Sequence, residues 1–514
     1  MIRNALTVAA WTMGSRLLGF GRDILIAALL GAGPAADAFF VALRLPNLFR
    51  RLFGEGAFSA AFVPEYAGRL TQDEAAAHEL AEDVTALMVA WLSALTLAGL
   101  IFMPFVIDLL APGFRADAAK FSLAVRLSRI TFPYLWLICL CALFSGMLNA
   151  RGRFTAAAAA PVLFNICILG TLAVLRLIGA APSTALAYGV TLSGIAQLAV
   201  LGHSLARAGA PVRLIRPRLS AGARLVLRRL GPGLIGAGVT QLNLTVDTII
   251  ASLLPSGTVS VLYYADRVNQ LPLGVIGTAL STALLPALSR QFRAGALTEA
   301  RGTLNRALEA GLLLTMPGAA ALGVISLPIM RTLFGHGAFT GADAARSAAA
   351  LVVYAAGLPA FVMVKLFAPG FFARGDTKTP VKIGIMAVAL NLALNLSLMH
   401  PLRQVGVALS TTLAAWFNVA ALGSVLYRRG DFAPDARLIG RVVRILAATL
   451  IMVLALVVAE HLRAVLALAQ YERLALLVAL GLGVFGGAGG MLGAFRLNEL
   501  AALLRRPAPR RGVA

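Results

Sequence analysis

Charge is what this sequence lacks. Of its 514 residues only 13% are Asp, Glu, Lys or Arg, while 59% are hydrophobic; a soluble domain carries about 25% charged residues. With a mean hydropathy of +0.85, there is too little polar surface to clothe soluble domains. Cysteine is scarce as well. Cys139, Cys141 and Cys167 all lie in apolar runs and form no CxxC, which excludes a disulfide framework or a cysteine metal site and leaves them as small packing residues. The five histidines show no HExxH spacing. Walker A, GxSxG and paired catalytic acids in a soluble domain are also missing. The chain is therefore expected to be no enzyme and to hold no cofactor. Any transport it performs must draw on an ion gradient, the membrane potential or the gradient of its cargo. The net charge of +23 comes without the aromatic–basic interleaving of single-strand binders, so nucleic acid is not an expected partner.

What is present is a series of long apolar runs. A spanning helix takes about 20 apolar residues. Clean candidates fall at 84–112, 122–149, 155–179, 182–206, 232–254, 307–334, 348–373, 380–400, 404–427, 440–460 and 471–495. Three more, at 6–31, 35–65 and 259–288, carry charges, Gly and Pro, giving about fourteen in all. Basic residues crowd alternate gaps. Arg207 to Arg229, Arg290 to Arg306, Arg374 to Lys382, Arg428 to Arg444 and Arg505 to Arg511 lie in one set. The gaps near 32–36, 180–183 and 255–258 hold none, and the remaining ones hold little more than Arg115 with Lys120, Arg346 or Arg403. That alternation predicts an inner-membrane, multi-pass chain with both termini cytoplasmic. No small-residue cleavage site follows the first apolar run, so no cleavable signal is expected.

The chain also repeats. FSAAFVP at 58–64 answers LSTALLP at 280–286, and Ala150-Arg151-Gly152 answers Ala373-Arg374-Gly375, at offsets of 222 and 223. Such an offset spans six helices, an even number, so the copies run parallel and are related by an axis along the membrane normal. The expected fold is all-α: two six-helix bundles, 1–210 and 211–430, then two further helices within 431–500 and a basic cytoplasmic tail at 501–514.

Intramembrane ions are costly and rarely face lipid. The first helix carries Arg16, Arg22 and Asp23; the second carries Asp37, Arg44, Arg50, Arg51 and Glu55. Asp37, Arg44 and Arg51, at i, i+7 and i+14, share a face if that helix is continuous. The second copy adds Asp266 and Arg267. The excess of arginine suits an anionic head group, because the guanidinium fork donates bidentate hydrogen bonds to phosphate; snorkelling at a helix end is the competing use of Arg50 and Arg51. Thr240, Asn243 and Asp247, with Asn391, Asn395, Thr411 and Thr412, form a second polar set that suits either a hard monovalent cation or proton, or an interhelical hydrogen-bond network.

The stretches Ser15 to Tyr66 (SRLLGFGRDILIAALLGAGPAADAFFVALRLPNLFRRLFGEGAFSAAFVPEY) and Tyr263 to Pro286 (YYADRVNQLPLGVIGTALSTALLP) resemble the signature of the MurJ (MviN-like) lipid II flippases, and the helix plan extends the likeness over essentially the whole chain. The resemblance places the chain among relatives of the MATE and Wzx exporters, its main rivals in function; a membrane scaffold without transport activity is the rival from another class. It implies alternating access and an undecaprenyl-pyrophosphate-linked disaccharide-pentapeptide as cargo. Membrane lipids and the cell-wall synthesis machinery are the implied partners. By the same resemblance the functional arginines fall on Arg16, Arg22, Arg50 and Arg267, beside Arg51, and the important acids on Asp23 and Asp37. A sodium site falls on Asp247, Asn391, Asn395, Val407 and Thr411. Position 395 is Asn where a second carboxylate strengthens such a site, so sodium, proton and membrane potential all remain as coupling sources. The last two helices, outside the repeat, are expected to hold a polyprenyl tail.

Overall fold

The computed structural model describes residues 2–51, 57–462 and 469–495. Gly54, Glu55, Gly56, Arg463 and the basic tail lie outside the described residues. The order is α1 (Ile2–Leu30), α2 (Pro34–Ala42), α3 (Arg44–Phe49), α4 (Ala57–Leu70), α5 (Glu74–Ile101), α6 (Met103–Leu110), a 3-10 turn (Pro112–Ala116), α7 (Ala118–Thr131), α8 (Tyr134–Ala150), α9 (Thr155–Leu177) and α10 (Pro182–Ala206). Then follow α11 (Ala221–Ser252), α12 (Thr258–Arg293), α13 (Leu297–Val324), α14 (Ser326–Phe334), α15 (Gly341–Phe372), α16 (Lys378–Arg428), α17 (Ala436–His461) and α18 (Gln470–Met491). Among the described residues there is no strand, and nine helices are long and apolar enough to cross a membrane. Backbone groups inside a bilayer need partners within their own segment, and helices supply them.

Proline accompanies two of the helix breaks. α16 has 51 residues, which at 1.5 Å each is about 77 Å, more than twice a hydrocarbon core. Pro401 removes a donor, and Arg403 leaves helical geometry at φ 49° and ψ −128°. The result is two crossings, as the sequence segments 380–400 and 404–427 predict. The segment 35–65, expected as one helix, is instead α2, α3 and α4. Pro46 has no N–H for the Ala42 carbonyl, which accepts from Thr131 Oγ1 at 3.0 Å instead. With a break at Leu43, Asp37, Arg44 and Arg51 do not share one continuous helical face.

The chain divides into two compact units, 1–263 with 336–343, and 264–335 with 344–514. Compactness groups α11 with the first unit, whereas the sequence repeat divides the chain at 210/211. The first unit has a core of Phe62, Tyr66, Leu80, Met147 and Leu201; the second is centred on Leu288, Leu304, Phe371 and Leu426. Lipid is as apolar as these side chains, so close van der Waals packing and hydrogen bonds hold such helices together.

The repeat has a physical echo inside each unit. In the first, Arg151 follows α8, donates from Nε to the Tyr66 hydroxyl at 3.0 Å, reaches the Ala208 carbonyl and pairs with Glu74 at 2.8 Å. In the second, Arg374 follows α15, lies 4.4 Å from the centre of the Phe292 ring and pairs with Asp431. Asp431 stands 223 positions after Ala208, the offset that separates the two arginines. Beside Arg374, Asp376 accepts from the Thr379 backbone N–H at 3.0 Å and pairs with Arg429 at 2.7 Å. Those contacts hold its carboxyl down at about 2.

Candidate functional site

Arg22 and Asp23 are consecutive residues of α1, 8% and 0% exposed. Arg22 donates through Nη2 and Nε to Asp23 Oδ1 at 2.8 and 3.1 Å, and through Nη1 to Asn165 Oδ1 of α9 at 3.1 Å. Asn165 Nδ2 in turn donates to the Ser15 and Pro161 carbonyls, each at 3.1 Å. The Phe164 ring lies 5.4 Å from the guanidinium, and the Tyr263 hydroxyl donates to Asp23 at 3.4 Å. The Arg22 charge is thus balanced by its neighbour and its fork is directed into α9. Sequence reasoning found Arg22 and Asp23 but missed Asn165, an unremarkable amide in an apolar run.

Asp37 accepts from four donors. Its carboxylate, 1% exposed, takes Lys120 Nζ at 2.7 Å and the Gly257 N–H at 2.7 Å on Oδ2, and the Ser260 N–H and hydroxyl, each at 2.8 Å, on Oδ1. The two amide donors belong to the first turn of α12 and the residue before it, where orphan N–H groups and the helix dipole favour an anion. Lys120 also donates to Ser256 Oγ at 3.1 Å and lies 4.1 Å from the Phe114 ring centre. The sequence assigned Lys120 to a connecting loop; the structure places it in the first turn of α7, 6% exposed. Asp37 is accordingly a helix-terminus ligand rather than an open group facing an anion.

Two backbone approaches flank this network. The Gly113 N–H reaches Ser252 Oγ at 3.3 Å at the end of α11. The Ala338 N–H reaches the Ala28 carbonyl at 2.7 Å near the end of α1. A Cβ built on Gly113 would collide with the Ser252 carbonyl, and one on Gly337 with the Ala28 carbonyl. Gly113 and Gly337, like Ala28 and Ser252, stand 224 positions apart. The same close approach of a glycine to a helix-end carbonyl is therefore built twice from repeat-related residues.

The remaining expected residues are placed as follows. Arg16 on α1 is exposed, and Arg50, Arg51 and Arg267 are half-buried. Arg50 Nε points to Asn47 Oδ1 at 3.5 Å, and Arg44 donates to the Leu244 carbonyl of α11. Asp247 is a buried residue of α11 in the first unit; Asn391 and Asn395, both 0% exposed, belong to α16 in the second, as do Val407 and Thr411. The Val407 carbonyl accepts the Thr411 hydroxyl at 3.2 Å. The Thr412 hydroxyl donates to the Val353 carbonyl at 2.9 Å. The Thr240 side chain lies outside the described residues.

Among the described residues, long apolar helices with a duplicated helix-end contact and buried ion pairs define a polytopic helical membrane protein. Its fold is that of the MOP class: it superposes on an inward-facing multidrug resistance MATE family transporter of the MOP superfamily with a TM-score of 0.67, at 16% identity, covering 83% of this chain and 97% of that one. The family model described as lipid II flippase MurJ matches residues 26–474, and the chain belongs to that family. A Rhizobium meliloti protein named as a probable lipid II flippase MurJ is 43% identical over 464 residues, 89% of this chain and 86% of that protein. A solved lipid II flippase MurJ in an inward closed conformation has a TM-score of 0.80 at 25% identity, covering 97% of this chain and all of that one.

Proposed function

We propose that this chain carries lipid II, the undecaprenyl-pyrophosphate-linked disaccharide-pentapeptide, from the cytoplasmic to the periplasmic leaflet of the bacterial inner membrane by alternating access. Family membership over 26–474 carries this reading. The chemistry of the arginines supports it, since a pyrophosphate needs permanently charged, forked donors at low dielectric. Arg16, Arg50, Arg51 and Arg267 are the residues assigned to the head group. Arg22 and Asp23 act on it by fixing the α1–α9 pair from which Arg16 projects. Both termini are cytoplasmic in this reading, as the alternation of basic gaps requires. Transport needs no cofactor. Its energy comes from the membrane potential or from sodium or a proton taken up by Asp247, Asn391, Asn395, Val407 and Thr411. Association with the cell-wall synthesis machinery completes the proposal. Acute depletion of the protein in cells, followed by assay of which leaflet holds lipid II, tests it. Lipid II should accumulate in the cytoplasmic leaflet, and an unchanged distribution would overturn the assignment. For the coupling site, Asp247→Asn should abolish any cation-dependent change in conformational distribution; a wild type indifferent to sodium and pH leaves the potential as the source.

A further inference from the structure

A groove of about 650 Å³ opens on the first unit among α6, α7 and α10. Arg126 and Arg129 of α7 stand in it, both exposed and three residues apart, so they project to the same side. Ser122, Thr184 and Tyr188 add hydroxyls, and Phe121 and Ile130 add apolar wall.

The depth of this groove is fixed by the sequence. α7 and α8 make one crossing, Ala118–Ala150, of 33 residues, about 50 Å at helical rise, against a hydrocarbon core of about 30 Å. The apolar stretch from Thr131 to Ala150 fills that core by itself. Arg126 and Arg129 therefore lie at its boundary, at the height of lipid head groups, at the end opposite Arg151. Thr184 and Tyr188 are in the first two turns of α10, at the same end.

Snorkelling explains a mobile arginine at such a boundary, but Arg129 is held. Pro104 has no N–H to give the Leu100 carbonyl, and Arg129 Nε donates to that carbonyl at 3.2 Å. Neither arginine pairs with a carboxylate among the described residues. Two adjacent cations at the lipid boundary, one of them held by a backbone carbonyl, favour an anion between them.

We infer that this groove binds the phosphodiester of an anionic phospholipid, in the leaflet that the proposed orientation makes periplasmic. Arg126 and Arg129 grip the phosphate oxygens, the hydroxyls of Ser122, Thr184 and Tyr188 take the polar head beside Phe121, and the acyl chains run toward the core past Ile130. The site is separate from the arginines assigned to lipid II and stands whether or not that assignment does.

The full-length protein, purified and passed through mixed phosphatidylglycerol and phosphatidylcholine, tests this by native mass spectrometry. Phosphatidylglycerol should be retained over phosphatidylcholine by about tenfold, as for a pair of interfacial arginines. Arg126→Gln with Arg129→Gln should remove the preference. So should Ser122→Trp, which fills the groove and leaves the charges in place, while Arg176→Gln on α9 should keep it. Equal retention of both lipids by the wild type, or an undiminished preference in Ser122→Trp and in the double variant, would overturn the site. Displacement of the lipid by millimolar inorganic phosphate would instead assign the groove to a soluble anion and overturn the lipid reading.

Discussion

The Asp37 carboxylate and the Lys120 ammonium lie 2.7 Å apart, with side chains 1% and 6% exposed. Removing one partner of such a pair leaves an uncompensated buried charge and costs roughly 3–5 kcal/mol, whereas removing both leaves none. Lys120→Met and Asp37→Asn should each lower the unfolding temperature of the purified protein. The double variant should lie closer to the wild type than the sum of the two predicts. Strict additivity in thermal unfolding would show that the two charges do not act as a pair. Asp37→Asn keeps one oxygen for either the Gly257 or the Ser260 donors and turns its NH2 toward the other set, so it should be the more damaging single change.

The Gly113–Ser252 and Gly337–Ala28 approaches leave no room for a side chain. Gly337→Val and Gly113→Val should each force those helix ends apart. A cysteine at the 4%-exposed Ser252 reports on this. In intact cells, Ser252→Cys should react slowly with a membrane-impermeant maleimide, and adding Gly113→Val, whose side chain meets the backbone at 252, should speed labelling several-fold by opening a closed, packed contact. Unchanged labelling would mean that the loops yield without parting the helices.

The family resemblance assigns Arg22 and Arg50 alike to function, yet they differ in surroundings. Arg22 is buried against Asp23 and Asn165, whereas Arg50 is half-buried. Arg50→Ala and Arg267→Ala should abolish complementation of a depletion strain without altering membrane content or melting temperature. Arg22→Ala should also abolish it but lower the melting temperature, because it strands a buried carboxylate at a cost of several kcal/mol. Wild-type growth with the Arg50 and Arg267 variants would remove them from the head-group assignment. Equal melting temperatures for Arg22→Ala and wild type would deny Arg22 its positioning role.

The difference between those arginines marks the limit of what sequence shows. Helix positions were legible because apolar length and proline act locally: Pro401 divides α16 where the two runs predict, and Pro46, in the first turn of α3, follows the break at Leu43 in the 35–65 segment. That Arg16, Arg22 and Asp37 are unusual was legible from the cost of a charge among apolar neighbours. Their partners were not. Lys120 is 83 positions from Asp37, and Asn165 is 143 from Arg22. One sequence gives no signal for such a pairing, because a lysine near a helix start reads as a topology charge until the fold buries it. Lys365, in the interior of α15 against Gly277, was legible on the same ground as those charges and was not singled out.

The helices beyond the repeat provide the last prediction. α17 and α18 pack together with Gly481 buried between them: a Cβ there meets Leu456 at 3.6 Å and Met452 at 3.8 Å. Gly483, two residues on, faces open space. The pair also exposes the apolar side chains of Leu450, Leu454 and Val458 on α17 and of Val478 and Leu482 on α18. A polyprenyl tail longer than one leaflet needs an apolar surface while its head group occupies polar surroundings. The two glycines therefore separate packing from tail binding. Gly481→Trp should disrupt the α17–α18 contact, lower the melting temperature by several degrees, as overpacking costs roughly 1–3 kcal/mol, and reduce all binding together. Gly483→Trp should leave stability and binding of a short-chain head-group analogue intact while blocking crosslinking of a photoreactive polyprenyl lipid. If Gly483→Trp crosslinks as efficiently as the wild type, the tail lies elsewhere and this apolar face serves only the surrounding bilayer.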